Sequence, residues 1–205
     1  MLSTAALVAL HDERTRAWHE TPTAADKPEG SDAWLEAVAR QHRANFDLWH
    51  IEDEARAPGA TDAELAAVKR RIDRTNQLRN DLAEELDRTL LAWLEPQALP
   101  SPHAPLHSES PGLIIDRLSI LALKIYHTRE EAARTAAPPG HTERNRERLT
   151  ILVEQRADLA ACLDVLWRET LAGTRRFKLY RQLKMYNDPA MNPAIYGSRA
   201  AQRSH

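Results

Sequence analysis

The sequence predicts an all-α helical bundle, and three observations support that prediction. The 205 residues include only six glycines and two phenylalanines, while Ala, Leu, Arg and Glu, which favour helices, are abundant. Apolar residues recur at helical spacing along several long segments. Prolines and helix-capping residues fall between these segments rather than inside them.

The caps and breaks place the elements in order. Helices are predicted over residues 1–20, 32–56, 62–94, 112–136, 142–172 and 174–186. Ser31 and Ser110 are expected N-caps, and Thr142 is expected to cap the fifth helix. Thr61 and Glu64 form a capping box, T-D-A-E. Gly173 is expected to close the helix that precedes it.

A chain of this length holds one core, so a single domain over 1–196 is expected. Its parts are a first hairpin (32–94), a linker with five prolines (95–111), a second hairpin (112–172), a basic helix with an irregular MYNDP segment (174–196), and a flexible tail (197–205). The segment 112–136 has apolar residues on two faces, which marks a central helix.

An internal repeat appears when the chain is shifted by 77 residues. LWHIEDEAR (48–56) then aligns with IYHTREEAA (125–133), and LRNDLAEELD (78–87) aligns with QRADLAACLD (155–164). The matched pairs are His50 with His127, Arg79 with Arg156, and Asp87 with Asp164. We interpret this as a duplicated hairpin that forms a four-helix bundle with approximate twofold symmetry. Chance similarity between helical sequences is the alternative.

Charge and cysteine content limit the function classes. The net charge of −2 gives no overall basic field, which argues against nucleic acid or an anionic membrane as partner. The apolar run AALVAL is too short for a membrane span or signal peptide. Cys162 is the single cysteine, so no internal disulfide is expected, and its place beside a leucine stripe predicts a small buried thiol. A soluble cytoplasmic protein is the expectation.

Two arginines interrupt apolar helix faces. Arg156 lies within a leucine stripe, and Arg79 lies in the matching stripe beside Asn76 and Asn80. Arginine keeps its proton in proteins, and an unpaired buried charge costs several kcal/mol or more. Both arginines therefore need partners, and helical phase offers Asp53, Asp116 and Glu130.

Two interpretations of these polar residues stay open. They form an ion-pair network that fixes helix register, or a mid-bundle pocket that holds an anionic small molecule. The pocket residues would be Trp49, Asn76, Arg79, Asn80, Asp116, Arg117, Lys124 and Arg156, with Lys184, Tyr186, Asn187 and Asp188 closing the site. His50, His127 and Asp53 are the candidate catalytic residues for proton transfer.

Metal binding is a weaker hypothesis. Dinuclear sites in bundles use paired Glu-x-x-His motifs, whereas this chain has Asp47-x-x-His50 and His127-x-x-Glu130, so no metal site is predicted. The acidic runs EDE (52–54) and NDLAEELD (80–87) resemble those of all-helical nucleotide pyrophosphatases, whose carboxylates hold magnesium. The paired E-x-x-E pattern is missing, so a magnesium-dependent phosphohydrolase is only a third hypothesis.

A family resemblance rests on longer blocks. NFDLWHIEDEAR, KRRIDRTNQLRND, SESPGLIIDRLSILALKIYH, EQRADL and FKLYRQLKMYNDPAMNP resemble the block pattern of an uncharacterised bacterial family, domain of unknown function 4254. The resemblance covers residues 40–196. It implies a setting near glycan or lipopolysaccharide glycosyltransferases, and hence a sugar phosphate or nucleotide sugar in envelope metabolism.

The first functional hypothesis is therefore a bundle whose polar pocket binds, or acts on, an anionic small molecule. The alternative is a non-catalytic interaction protein that binds a partner protein or a second copy of itself, with interior ion pairs that are structural. The basic segment 174–193 interleaves cations with Phe177 and two tyrosines, but it holds too few cations to make RNA more than a minor candidate.

Overall fold

The computed structural model describes residues 2–24, 32–181 and 190–192. It contains the helices α1 (Thr4–Glu20), α2 (Ala33–Glu54), α3 (Asp62–Leu94), α4 (Pro111–Ala133) and α5 (His141–Leu171), with a 3₁₀ turn at Glu95–Gln97. In these residues no β-strand forms, and one isolated bridge joins Leu106 to Arg176. The all-α bundle prediction is confirmed.

The helix ends follow the sequence in most places. The Thr61 hydroxyl accepts from the Glu64 N–H while the Glu64 carboxylate accepts from the Thr61 N–H, which is the predicted capping box. Gly173 adopts a left-handed φ of 71° directly after α5, as expected. The predicted cap Thr142 is wrong, because the N-cap is Gly140 at φ 72°. The expected cap Ser31 lies outside the described residues.

The C-terminal prediction is also wrong where the structure describes it. Residues 174–181 form no helix and are irregular apart from the single bridge residue Arg176, and 182–186 lie outside the described residues. Arg176 donates its N–H to the Pro105 carbonyl at 3.0 Å and accepts from the His107 N–H at 2.7 Å. Phe177 is buried in the main core. The pairing with the linker and the burial of one aromatic ring override a local helix propensity.

α4 is the central helix, as its two apolar faces predict. It packs against α1, α2, α3 and α5, while α2–α3 and α4–α5 form the two hairpins. The main core is built from the apolar side chains Leu86, Leu90, Ile114, Ile115, Leu118, Leu163 and Leu166, with Leu7 and Leu10 from α1. None of the helices in the described part of the chain has the length and apolarity needed to cross a bilayer.

Two junctions hold helix N-termini against the bundle. At the α3–α4 junction, the Asp87 carboxylate accepts from the Ser110 hydroxyl and, at 2.7 Å, from the Gly112 N–H. At the α5–α1 junction, the Asp164 carboxylate accepts from the Thr4 hydroxyl. Asp87 and Asp164 are matched residues of the predicted repeat, and they make the same kind of contact. This supports the repeat, which itself stays a prediction.

Candidate functional site

A buried polar network crosses from α2 to α4. Asp116 accepts hydrogen bonds from Gln41 at 2.6 Å and from Asn45 at 2.9 Å. Asn45 also donates to the Ser119 hydroxyl at 2.9 Å, and His42 Nδ1 lies 2.7 Å from the same hydroxyl. Burial raises the pKa of Asp116, and the Arg79 charge opposes that rise. The network therefore holds one carboxylate in a fixed position inside the bundle.

Arg79 reaches this carboxylate only loosely. Its Nε lies 3.7 Å from Asp116 Oδ1 and makes no hydrogen bond to any of the described residues. One Nη atom makes a long contact of 3.5 Å to Asn80 Oδ1. Because Asp116 Oδ1 is already engaged by two amides, part of the guanidinium fork stays uncommitted.

Arg79 also lines a cavity of about 440 Å³ between α2, α3 and α4, called here the α2–α3–α4 cavity. Its walls are Asn45, Leu48, Trp49, Glu52, Asp53, Arg56, Arg79, Ile120 and Leu123. This lining combines apolar and aromatic side chains with carboxylates and cations. Three predicted residues, Trp49, Asp53 and Arg79, thus meet at one cavity.

Other predicted residues lie elsewhere. Arg117 and Lys124 line a second cavity of about 620 Å³ between α4 and α5, together with Cys162. Asn80 is buried beside Arg79, and Asn76 is half-buried one turn earlier, but neither lines the α2–α3–α4 cavity. Lys184, Tyr186, Asn187 and Asp188, predicted to close the site, lie outside the described residues.

Arg156 corrects the prediction most clearly. Its Nη1 lies 2.6 Å from Asp12 Oδ1 on α1, so its partner is none of the three predicted carboxylates. Its side chain is 13% exposed and lines neither of the two cavities above. The two arginines therefore do not share a pocket. α1 covers the face of α5 on which Arg156 lies. The prediction considered only the helix faces of the two hairpins, so it offered no partner on α1.

Cys162 also departs from expectation, since its thiol is exposed rather than buried. The apolar stripe of α5 is narrower than the sequence suggests. Leu163 and Leu166 enter the core, while Cys162 turns toward the second cavity.

The two candidate catalytic histidines come together, but a third histidine joins them. His50 and His127 lie with His19 of α1 in a group called here the histidine cluster. Burial is the main cause that lowers the pKa of both His50 and His127. Both imidazoles are therefore neutral at pH 7. Neither lines the α2–α3–α4 cavity, although Trp49 stacks on His127 with ring centroids 4.8 Å apart.

Sequence reasoning missed Asp12, His19, Gln41 and Ser119. α1 carries the signal for two of them. Leu7, His11 and Trp18 are buried at helical spacing, and that face brings Asp12 and His19 to its margins. Gln41 and Ser119 each belong to no recognisable sequence pattern. A lone polar residue on an apolar helix face has its hydrogen-bond partner on another helix.

The fold and the cavity define a class: an all-α bundle with a central helix and a mixed apolar and charged pocket beside it. The family model described as "Protein of unknown function (DUF4254)" matches residues 35–179. The chain belongs to this family. No curated protein and no solved structure matches it.

Proposed function

We propose that the α2–α3–α4 cavity binds an anionic sugar, such as a sugar phosphate or a nucleotide sugar. The observation that supports this most is Arg79. Its side chain lines the cavity, its Nε is buried without a hydrogen-bond partner among the described residues, and the Asp116 carboxylate lies 3.7 Å from that atom. A guanidinium with free N–H groups binds phosphate through paired, charge-assisted hydrogen bonds.

The rest of the wall suits a sugar. The Asp53 and Glu52 carboxylates provide hydrogen-bond acceptors for the hydroxyl groups of a sugar. Asn45 adds a side-chain amide, whose Nδ2 already donates to Asp116. Trp49 offers an aromatic surface against which the apolar face of a sugar ring can pack. A volume of about 440 Å³ lies in the range typical of small-molecule sites.

The proposal is one of binding. The candidate catalytic residues His50 and His127 do not line the cavity, and only Asp53 of that set does. A reaction would therefore need Asp53 to act on the bound sugar, and proton transfer by either histidine would need a route around Trp49.

A calorimetric titration tests the proposal. Glucose 1-phosphate, UDP-glucose, glucose and inorganic phosphate are titrated into the wild type and into Arg79→Gln. The anionic sugars should bind the wild type, and Arg79→Gln should weaken them at least tenfold because the phosphate loses its charged partner. Glucose alone should bind more weakly than its phosphate.

Two matched variants locate the site. Arg117→Gln removes a cation from the second cavity, and Arg40→Gln removes an exposed cation that pairs with Glu85 outside both cavities. Neither should change binding. If Arg117→Gln alone abolishes it, the second cavity is the site, and if none of the sugars binds the wild type, the proposal fails.

A wild type that binds none of these ligands would favour the alternative, a non-catalytic interaction protein. Its contact surface would be α5, which exposes the large apolar side chains Ile151, Val153, Val165 and Leu171. The third hypothesis, magnesium-dependent hydrolysis, gains no support from the acidic runs. Asp87 of α3 is buried against the start of α4, where it accepts from the Gly112 N–H, and Glu85 pairs with Arg40 at 2.7 Å.

We further propose a cytoplasmic location and a role near glycan or envelope synthesis. A free, exposed thiol at Cys162 suits a reducing compartment. The family resemblance suggests the pathway. Detection of the protein in a cytosolic fraction after cell lysis, with none in the membrane or secreted fractions, would support the location.

A further inference from the structure

Three histidines from three helices converge on one point. His19 of α1, His50 of α2 and His127 of α4 each offer a ligand atom, and these atoms lie within 4.8 Å of one another. The ring centroids are 5.1 Å apart for His19 and His50, 5.0 Å for His19 and His127, and 5.9 Å for His50 and His127. Residues 19, 50 and 127 are far apart in sequence, so only the fold brings them together.

Each ring presents a buried nitrogen that has no hydrogen-bond partner among the described residues. These atoms are His19 Nε2, His50 Nδ1 and His127 Nε2. A buried ring nitrogen without a partner costs free energy, since it has lost its bond to water. The unpartnered nitrogens thus belong to the same three rings whose ligand atoms converge within 4.8 Å.

The opposite nitrogen is held in two of the three rings. His19 Nδ1 lies 2.7 Å from the Thr15 carbonyl oxygen, and His127 Nδ1 lies 3.1 Å from Glu130 Oε2. Both partners accept, so Nδ1 carries the proton and Nε2 keeps its lone pair. Metal-ligating histidines are oriented in this way, with the second ring nitrogen bonded to a carbonyl or carboxylate.

We infer that the histidine cluster binds a divalent transition-metal ion of the class that prefers imidazole, for which Zn²⁺ is the reference. Three nitrogens around tetrahedral Zn²⁺ at about 2.0–2.1 Å lie about 3.3 Å apart. Changes in side-chain torsion angles that move each nitrogen by about 1 Å would reduce the present spacing of the three atoms to that value. Three protein ligands leave a fourth position open for water or another group.

Two carboxylates lie close to the histidine cluster. The Glu130 carboxylate lies 3.1 Å from His127 Nδ1, and Asp53 is near enough to act electrostatically on His50 and His127. A bound ion would be stabilised by both carboxylates.

Aromatic packing accounts for the ring positions but not for the nitrogens. Tyr126 stacks on His19 with centroids 4.2 Å apart, Phe46 lies 4.3 Å from His50, and Trp49 covers His127. These contacts bury the ring faces. They supply no hydrogen bond to the three unpartnered nitrogens, whereas a shared metal ion would accept a lone pair from each of them.

The three ligands lie outside the proposed sugar cavity, whose walls contain none of the histidines, although Trp49 and Asp53 lie beside both sites. The test uses tag-free full-length protein, dialysed against a chelator and titrated with Zn²⁺ by calorimetry and with Co²⁺ by visible absorption. One ion per chain should bind, and Co²⁺ should give the intense bands of a tetrahedral site. Mg²⁺ should not compete.

Variants then assign the ligands. His19→Gln, His50→Gln and His127→Gln should each weaken Zn²⁺ binding at least tenfold, and Glu130→Gln should weaken it about 10–100-fold through the lost orientation of His127. His103→Gln, which removes an exposed histidine outside the cluster, should bind as the wild type does. Far-UV circular dichroism shows that each variant is folded.

The result that would overturn the inference is Zn²⁺ binding of equal strength in the wild type and in folded cluster variants, or no binding to the wild type. Arg79→Gln should bind Zn²⁺ normally. Loss of sugar binding in Arg79→Gln with retained metal binding separates the two proposals, so either can fail alone.

Discussion

The α3–α4 and α5–α1 junctions contain matched residues of the predicted repeat, but the two matched arginines make different contacts. At the α3–α4 junction, Arg79 stands 3.7 Å from the buried carboxylate of Asp116. At the α5–α1 junction, Arg156 stands 2.6 Å from Asp12, whose side chain is 39% exposed. Each arginine lies two turns before an aspartate that accepts from a hydroxyl at the start of the next packed helix.

The difference comes from what else binds each carboxylate. Gln41 and Asn45 already donate to Asp116, and the Arg79 Nε, on a side chain that lines the α2–α3–α4 cavity, has no hydrogen-bond partner in the described part of the chain. The Arg156 guanidinium instead donates a hydrogen bond directly to Asp12, and this ion pair joins α5 to α1. An inward arginine is thus a candidate binding residue only where its carboxylate is occupied by other donors.

The largest expected effect comes from substituting the second residue of the helix that begins at each junction. Gly112→Ala places a Cβ 2.2 Å from the Ala83 carbonyl oxygen, which is backbone and cannot rotate away. We expect a loss of about 3 kcal/mol in the free energy of unfolding, measured by urea denaturation. The matched control is Ala5→Gly, at the exposed second residue of α1, which should cost at most about 1 kcal/mol. Equal costs would show that the α3–α4 approach is not closer.

The second prediction is a pH dependence that belongs to Asp87. Burial raises the pKa of Asp87 to about 6, against an ordinary value of 3.8. Between pH 4 and 6 the folded chain then holds more protons than the unfolded chain, so stability falls as pH rises. The fall from this group is roughly 3 kcal/mol across the window.

The measurement is the free energy of unfolding of the wild type and of Asp87→Asn at pH 4, 5, 6 and 7. The wild type should lose stability relative to the variant as pH rises, and the gap should be constant above pH 7. Asp164→Asn is the comparison variant, because Asp164 is the exposed aspartate that makes the matching contact at the α5–α1 junction. A constant gap between wild type and Asp87→Asn at every pH would contradict the prediction.

The third prediction compares the arginines themselves. Arg156→Met should destabilise the fold by about 2 kcal/mol because it breaks a short ion pair whose arginine side chain is only 13% exposed. Arg79→Met should cost about 1 kcal/mol, since Asp116 keeps two amide donors. Thermal and urea denaturation check the order. A larger loss for Arg79→Met would make Arg79 the structural member of the pair.

The smallest effects test whether the junction hydroxyls are equivalent. Ser110→Ala and Thr4→Val each remove one buried hydroxyl that donates to an aspartate. Each should cost about 1 kcal/mol in urea denaturation. If Thr4→Val is neutral while Ser110→Ala is not, the junctions share geometry without sharing energetics.

Local rules predicted the parts of this protein that depend on neighbours in sequence. The Thr61–Glu64 capping box and the glycine that ends α5 involve contacts within one turn. Asp116, which lies 3.7 Å from Arg79, was one of the three carboxylates that helical phase offered as partners for the two arginines. The basic C-terminal helix was wrong over 174–181, since the linker and the core hold that segment in a non-helical form.

The sequence by itself determined the all-α class, the central place of α4 and the need for partners to inward charges. Each of these follows from helical periodicity and from the cost of burying an unpaired group. The tertiary structure alone decided which carboxylate each arginine meets, where the cavity opens, and that His19 joins His50 and His127. Those outcomes depend on how α1 packs across the two hairpins, and residues on separate helices meet through packing that no spacing along one helix encodes.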